Sequence, residues 1–158
     1  MNTIQFTDSA AYSRLFDILS SLYLHHPTPE RVAAFNAIAS TFGIGTDMLP
    51  VTEDIATLSA DYDDLFLVPV SGRYLPPFES AQRTQRLRGP LTHQVVDLYQ
   101  AAGFEPNMLD IDIMWKNLNM PDHIGIELAF FSALLATHEN APAPEITDTI
   151  NTFAQKHL

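Results

Sequence analysis

Apolar residues recur along this chain at three- and four-residue steps, the spacing that gathers side chains on one face of an α-helix. From Asp8 to about Leu24 the apolar positions are Tyr12, Leu15, Phe16, Leu19, Leu22 and Tyr23, and His25-His26-Pro27 closes the run. Thr28 then offers a side-chain cap, Pro29 suits the first helical position, and Glu30 meets the positive end of the helix dipole. Val32, Phe35, Ile38, Ala39 and Phe42 form the apolar face of this second helix, which Gly43 stops. Thr52 opens a third, with Glu53 and Asp54 in its first turn and Ile55, Leu58, Tyr62, Leu65 and Phe66 at helical spacing.

Leu67 to Phe78 breaks the pattern. Pro69, Gly72, Pro76 and Pro77 are too many breakers for a helix, and the abundance of apolar side chains predicts a packed loop. A fourth helix follows Gly89-Pro90, carries Leu91, Val95, Leu98, Tyr99 and Ala102, and stops at Gly103. Glu105 to Met120 is expected to be partly helical around Ile113 to Leu118. A strong helix starts at Pro121 or Asp122 and runs to about Thr137 on Ile124, Leu128, Phe131 and Leu135. Pro142 and Pro144 divide it from a last helix carrying Ile146, Ile150 and Phe153. No run alternates with period two and no segment repeats. The expectation is an all-α, single-domain bundle of about six or seven helices over residues 1–158.

Composition sharpens this. At 158 residues the chain suits one domain, and its 46% hydrophobic content supplies a core without a metal or disulfide staple. The formal net charge is -11, a field that repels phosphate backbones and draws basic partners, so nucleic acid is not an expected ligand. Cys is 0, which excludes a disulfide, a thiolate nucleophile and any Cys-ligated metal. Asp8, Arg14 and Asp17 interrupt the N-terminal stretch, which reads as neither a signal peptide nor a membrane span. A soluble, cytoplasmic protein without stable membrane insertion is expected.

Phosphate-loop, dinucleotide and nucleophile-elbow motifs are missing, and no histidine pair has H-E-x-x-H spacing. His25 and His26 suit the C-terminal end of a helix, in a surface or capping role. His123 and Glu127 stand four apart on one helix face. They could do acid–base work, or simply stabilise their helix by about 0.3–0.5 kcal/mol. Asp122 could cap that helix. Arg73, Arg83, Arg86 and Arg88 read as a charge-balancing face or an anion-contacting edge, and the clusters Asp54, Asp61, Asp63, Asp64 and Glu105, Asp110, Asp112 as solvated faces or docking points for a basic peptide. Trp115 reads as core or as part of a helix-docking patch.

Three segments together resemble a known family. Asp61-Tyr62-Asp63-Asp64-Leu65-Phe66-Leu67-Val68-Pro69 is similar to its Y-x-x-L-F-x-x-P segment. Pro76-Pro77-Phe78-Glu79-Ser80 is similar to its P-P-Y/W-E-S turn, and Pro121-Asp122-His123-Ile124-Gly125-Ile126-Glu127-Leu128 to its P-D-H-I-x-x-E-L motif. Their order and spacing resemble the TorD/DmsD/NarJ family of redox-enzyme maturation chaperones.

The resemblance implies a TorD-like, non-enzymatic chaperone without a cofactor of its own. Its partners would be the twin-arginine signal peptide and precursor of a molybdenum-cofactor oxidoreductase of the DMSO or TMAO reductase type, withheld from export until the cofactor is loaded. Carried over residue by residue, the signal-peptide-binding set is Tyr62, Leu65, Phe66, Pro77, Phe78, Asp122 and His123, supported by Glu79, Ser80, Pro121 and Glu127. Asp122 would be the partner of a signal arginine. Tyr62 and Phe78 stand where some members carry tryptophan. Phe153 to Leu158 is similar to a late F-x-x-x-H-L segment after which members usually continue. The chain therefore looks C-terminally short, which predicts an open apolar face covered by a second copy, through a homodimer or helix exchange, or used as client surface. The alternatives are a helical adaptor for another basic partner and a small hydrolase using Asp122, His123 and Glu127.

Overall fold

In the computed structural model, which describes residues 8–45 and 54–158, the Asp8 carboxylate accepts the Ala11 N–H at 2.9 Å and starts α1 (Ser9–Leu24). Thr28 caps α2 (Pro29–Thr41) in the same way through the Arg31 N–H, with Pro29 in the first turn. α1 starts where the apolar spacing puts it and α2 where the Thr28 cap puts it. α3 (Ile55–Tyr62) runs directly into a π-helical turn over Asp63–Leu67. Its expected opening at Thr52 lies outside the described residues. After the proline-rich loop come α4 (Glu79–Thr84), α5 (Pro90–Ala101), a 3₁₀ turn at Pro106–Met108 and α6 (Ile113–Leu118). The order ends with α7 (Ile124–Asn140) and α8 (Pro144–Lys156).

The described residues thus hold eight α-helices and no strand; one isolated bridge joins Phe78 to His123. The helix beyond the expected six or seven is α4. Its six residues, Glu-Ser-Ala-Gln-Arg-Thr, are too few and too polar to show a periodicity.

α7 is the central element. Ile126, Phe130, Phe131, Leu134 and Leu135 are buried on several sides of it, so it is apolar almost all round, as a helix enclosed by others must be. α1 lies along it, and the contact is made by small residues. A Cβ added at Gly125 would fall 2.6 Å from Leu24 Cγ. Ser20 donates to the Gly125 carbonyl at 2.7 Å, and Ser13 donates to the Ser132 carbonyl at 3.0 Å. The close approach explains why Ser9 and Ser20 are buried, while Leu15, Leu19 and Leu22, the expected apolar face, are only half-buried. Ring contacts fill the rest: Phe16 meets Phe131 edge-on at 4.9 Å, and Phe153 of α8 packs against Phe130 at 5.0 Å.

Trp115 belongs to the core. Its indole N–H donates to the Tyr62 hydroxyl at 3.0 Å, and that hydroxyl donates to the Tyr23 carbonyl at 2.7 Å, tying α6, α3 and α1 together. His25 and His26 do more than cap. His25 is buried against the Asp112 carboxylate and the Asp110 carbonyl, while His26 bridges Asp112 and Asp63 at 3.2 and 2.9 Å. Among the arginines, Arg73 pairs with Asp61 at 2.5 Å and pins the proline-rich loop to α3. The apolar face of α8 is covered within the chain, with Ile150 at 3% and Phe153 at 0% exposure. No open apolar face of the expected kind lies on that helix.

Candidate functional site

The three motif segments meet at one joint. The Pro77 carbonyl accepts the Ile124 N–H at 2.9 Å, and the Asp122 carbonyl accepts the Glu79 N–H at 2.9 Å. The Asp122 carboxylate accepts the Ser80 N–H at 3.0 Å, so Asp122 satisfies the first amides of α4 from another part of the chain. His123 is the N-cap of α7: its Nδ1 accepts the Gly125 N–H at 3.0 Å. The late segment joins too. Glu79 lies 2.8 Å from His157 Nδ1, and Arg83 donates to the other Glu79 oxygen and to the Lys156 carbonyl.

Beside this joint runs a half-open groove of about 400 Å³. Tyr23, Phe66, Leu75, Pro76, Pro77, Phe78 and Ile124 give it apolar walls; Glu79, Glu127 and His157 contribute the buried polar side, and Gln82 and Arg83 the exposed rim. Leu75 is 54% exposed and available to an incoming apolar group.

Of the residues assigned from sequence, Phe66, Pro77 and Phe78 line this groove, as do the supporting Glu79 and Glu127. Tyr62, Asp122, His123 and Ser80 are buried and do not line it. Leu65 is half-buried and offers its carbonyl to the Leu75 N–H at 2.7 Å, while Pro121 borders a different cavity. The expected meeting of Asp122 with an arginine is corrected on one point. Its side chain is 0% exposed and is used to start α4, so no surface partner reaches it in this conformation.

Burial also decides the charge states. Desolvation first, then the carboxylates of Glu79 and Asp122, push the Glu127 pKa up to about 9, against a smaller opposing pull from Arg83. Glu127 is therefore a protonated acid at neutral pH, with both oxygens buried beside the Glu79 carboxylate. Burial lowers the His123 pKa to about 3, leaving a neutral ring whose Nδ1 is already an acceptor. The expected His123–Glu127 pair is thus not an ion pair at neutral pH. Among the described residues no group of His, Asp or Glu is placed to hold a metal ion.

Tyr23, Leu75, Pro76, Gln82, Arg83, Ile124 and His157 complete the groove and were not assigned to it from sequence. His157 carried a signal in the F-x-x-x-H-L segment. Tyr23 carried none, because helical periodicity does not separate a residue facing a core from one facing a groove.

An all-α bundle that presents an apolar groove over buried carboxyl groups has the architecture of a helical binding protein. The chain belongs to the nitrate reductase delta subunit family, whose profile matches residues 29–158 and which groups NarJ- and TorD-like chaperones. A solved structure from Archaeoglobus fulgidus, described as that of a candidate redox enzyme maturation protein, has the same fold. The TM-score is 0.55 at 17% identity, over 98% of this chain and 98% of that one. No curated protein matches this chain. Among the described residues no helix is long and apolar enough to cross a membrane.

Proposed function

We propose that this protein is a redox-enzyme maturation chaperone that holds the twin-arginine signal peptide of a molybdenum-cofactor oxidoreductase in the groove beside Phe78. Family membership supports the chaperone class. The observation that carries the peptide reading is the groove itself, with Phe66, Leu75 and Phe78 on its walls and Glu79 and Glu127 beneath. A twin-arginine signal peptide combines a basic end with an apolar stretch. Helix-in-groove binding requires the apolar walls, and the net charge of -11 draws the basic end in. Retention of the peptide would keep the precursor in the cytoplasm while its cofactor is inserted.

Calorimetric titration with a synthetic twin-arginine peptide tests this. Saturable binding is expected. Phe66→Asp should weaken it at least about tenfold, and lysines in place of the peptide arginines should weaken it less. No heat with any peptide of this class at micromolar concentration, or undiminished binding to Phe66→Asp, would sink the reading.

A further inference from the structure

The groove beside Phe78 has two carboxyl side chains among its described lining residues, Glu79 and Glu127. Glu127 keeps its proton, and Glu79 is the one that meets a cation: Arg83 donates to one of its oxygens. The other oxygen lies 2.8 Å from His157 Nδ1. The Glu79 side chain is only 5% exposed, whereas that of Arg83 is 52% exposed. The carboxylate therefore lies beneath the arginine, and the arginine is the half of the pair that anything entering the groove reaches first.

Arg83 does more than neutralise Glu79. The same terminal nitrogen donates to the Lys156 carbonyl, at the C-terminal end of α8, where the helix dipole is negative. A carboxylate from α4 and a carbonyl from the end of α8 thus form a two-sided acceptor at the rim of the groove, with a guanidinium seated in it. The guanidinium arrives on a half-exposed side chain, so its hold is weak on the solvent side. The carboxylate is buried, so leaving it without a cation is costly. Those two conditions favour exchange. A second guanidinium can take the place of Arg83 without stranding Glu79, while Arg83 swings into water.

We infer that Glu79 and the Lys156 carbonyl are the seat for one arginine of the bound peptide, and that Arg83 occupies this seat in the free protein as a built-in competitor. The inference rests on the reading of the groove as a signal-peptide site. It names the group there that meets an arginine, a part that burial denies to Asp122. Phe78 directly precedes Glu79, so the arginine seat and the apolar wall adjoin, as the basic end and the apolar stretch of such a peptide do. The exchange also gives selectivity. A neutral peptide side chain gains nothing by displacing Arg83, and an acidic one meets a carboxylate.

Calorimetry on the full chain uses a synthetic twin-arginine peptide and the same peptide with alanines for both arginines. Arg83→Gln should tighten the arginine peptide at least about threefold and leave the alanine peptide unchanged. A merely structural Arg83 gives equal or weaker binding instead. Arg86→Gln removes the same charge from an exposed position outside the groove, and its effect should be smaller. Glu79→Gln should weaken the arginine peptide about tenfold, and in that background Arg83→Gln should no longer tighten it. Thermal unfolding shows which variants are folded; should Glu79→Gln fail, the comparison of Arg83→Gln with Arg86→Gln decides alone. The inference is overturned if Arg83→Gln binds the arginine peptide no more tightly than the parent, if Arg86→Gln tightens it as much, or if the alanine peptide gains equally. In those cases the signal-peptide reading stands as long as Phe66→Asp still weakens binding. If neither the parent nor Arg83→Gln binds the arginine peptide, both fall.

Discussion

The Asp122 carboxylate accepts the Ser80 backbone N–H at 3.0 Å, across 42 positions of sequence. One side chain thereby holds the start of α4 against the entry to α7, and with it the position of Phe78 on the groove wall. Asp122→Ala removes a buried acceptor and leaves an amide unpaired, at a cost of about 1–3 kcal/mol. Asp122→Asn keeps an acceptor oxygen and should cost less. Urea denaturation of the two variants checks the order; equal stability of Ala and Asn would contradict the capping role.

Gly125 exists for the space it leaves. An added methyl group meets Leu24 Cγ at 2.6 Å and Tyr23 Cβ at 3.0 Å, neither of which is the free end of a flexible chain. Gly125→Ala should therefore destabilise by about 1–3 kcal/mol, despite the better helix propensity of alanine. Adding Leu24→Ala should cost less in that background than in the parent. Strict additivity in the double-mutant cycle would show that the two helices do not touch there.

Tyr62 is a relay in the core. Its hydroxyl accepts from Trp115 and donates to the Tyr23 carbonyl, and burial, the first cause, pushes its pKa up to about 12. Tyr62→Phe strands both partners and should lower stability by about 1–3 kcal/mol. Thermal unfolding measures the loss, and a changed Trp115 emission confirms that the indole has lost its acceptor. A variant as stable as the parent, with unchanged emission, would rule out the relay.

Stability should show a plateau in pH with a decline on each side. Glu127 goes from an ordinary 4.5 to about 9 on folding, so the folded state keeps a proton that the unfolded chain releases; stability falls as pH rises through that range. His123 goes from 6.5 to about 3, so the unfolded chain takes a proton that the folded state refuses; stability falls as pH drops from 6.5 toward 3. The two slopes oppose one another between 4.5 and 6.5. Glu127→Gln should reduce the alkaline decline and leave the acid one. Urea midpoints measured from pH 4 to pH 9 decide it, on a scale of roughly 1.4 kcal/mol per pH unit for each proton.

The helices legible in sequence are those with a long apolar period, such as α1, or a capping side chain, such as α2 behind Thr28. α4 was not legible, because its six residues carry no period and its cap, Asp122, arrives from a distant segment. The candidate site divides in the same way. Phe66, Pro77 and Phe78 were marked by motif and stand on the groove wall, whereas Tyr23 and Leu75 reach it from α1 and the loop without a signal.

By itself, the sequence determined that the chain is all-α, acidic and free of cysteine, and that three motif segments of a chaperone family are present. Those properties reside in local spacing and composition, which are readable one residue after another. Only the tertiary structure decided that the segments form one joint, that Asp122 and His123 are spent inside it, and that Glu127 keeps its proton. Burial is the reason. A side chain's charge and accessibility depend on what the rest of the chain packs around it, and no spacing along the sequence records that environment.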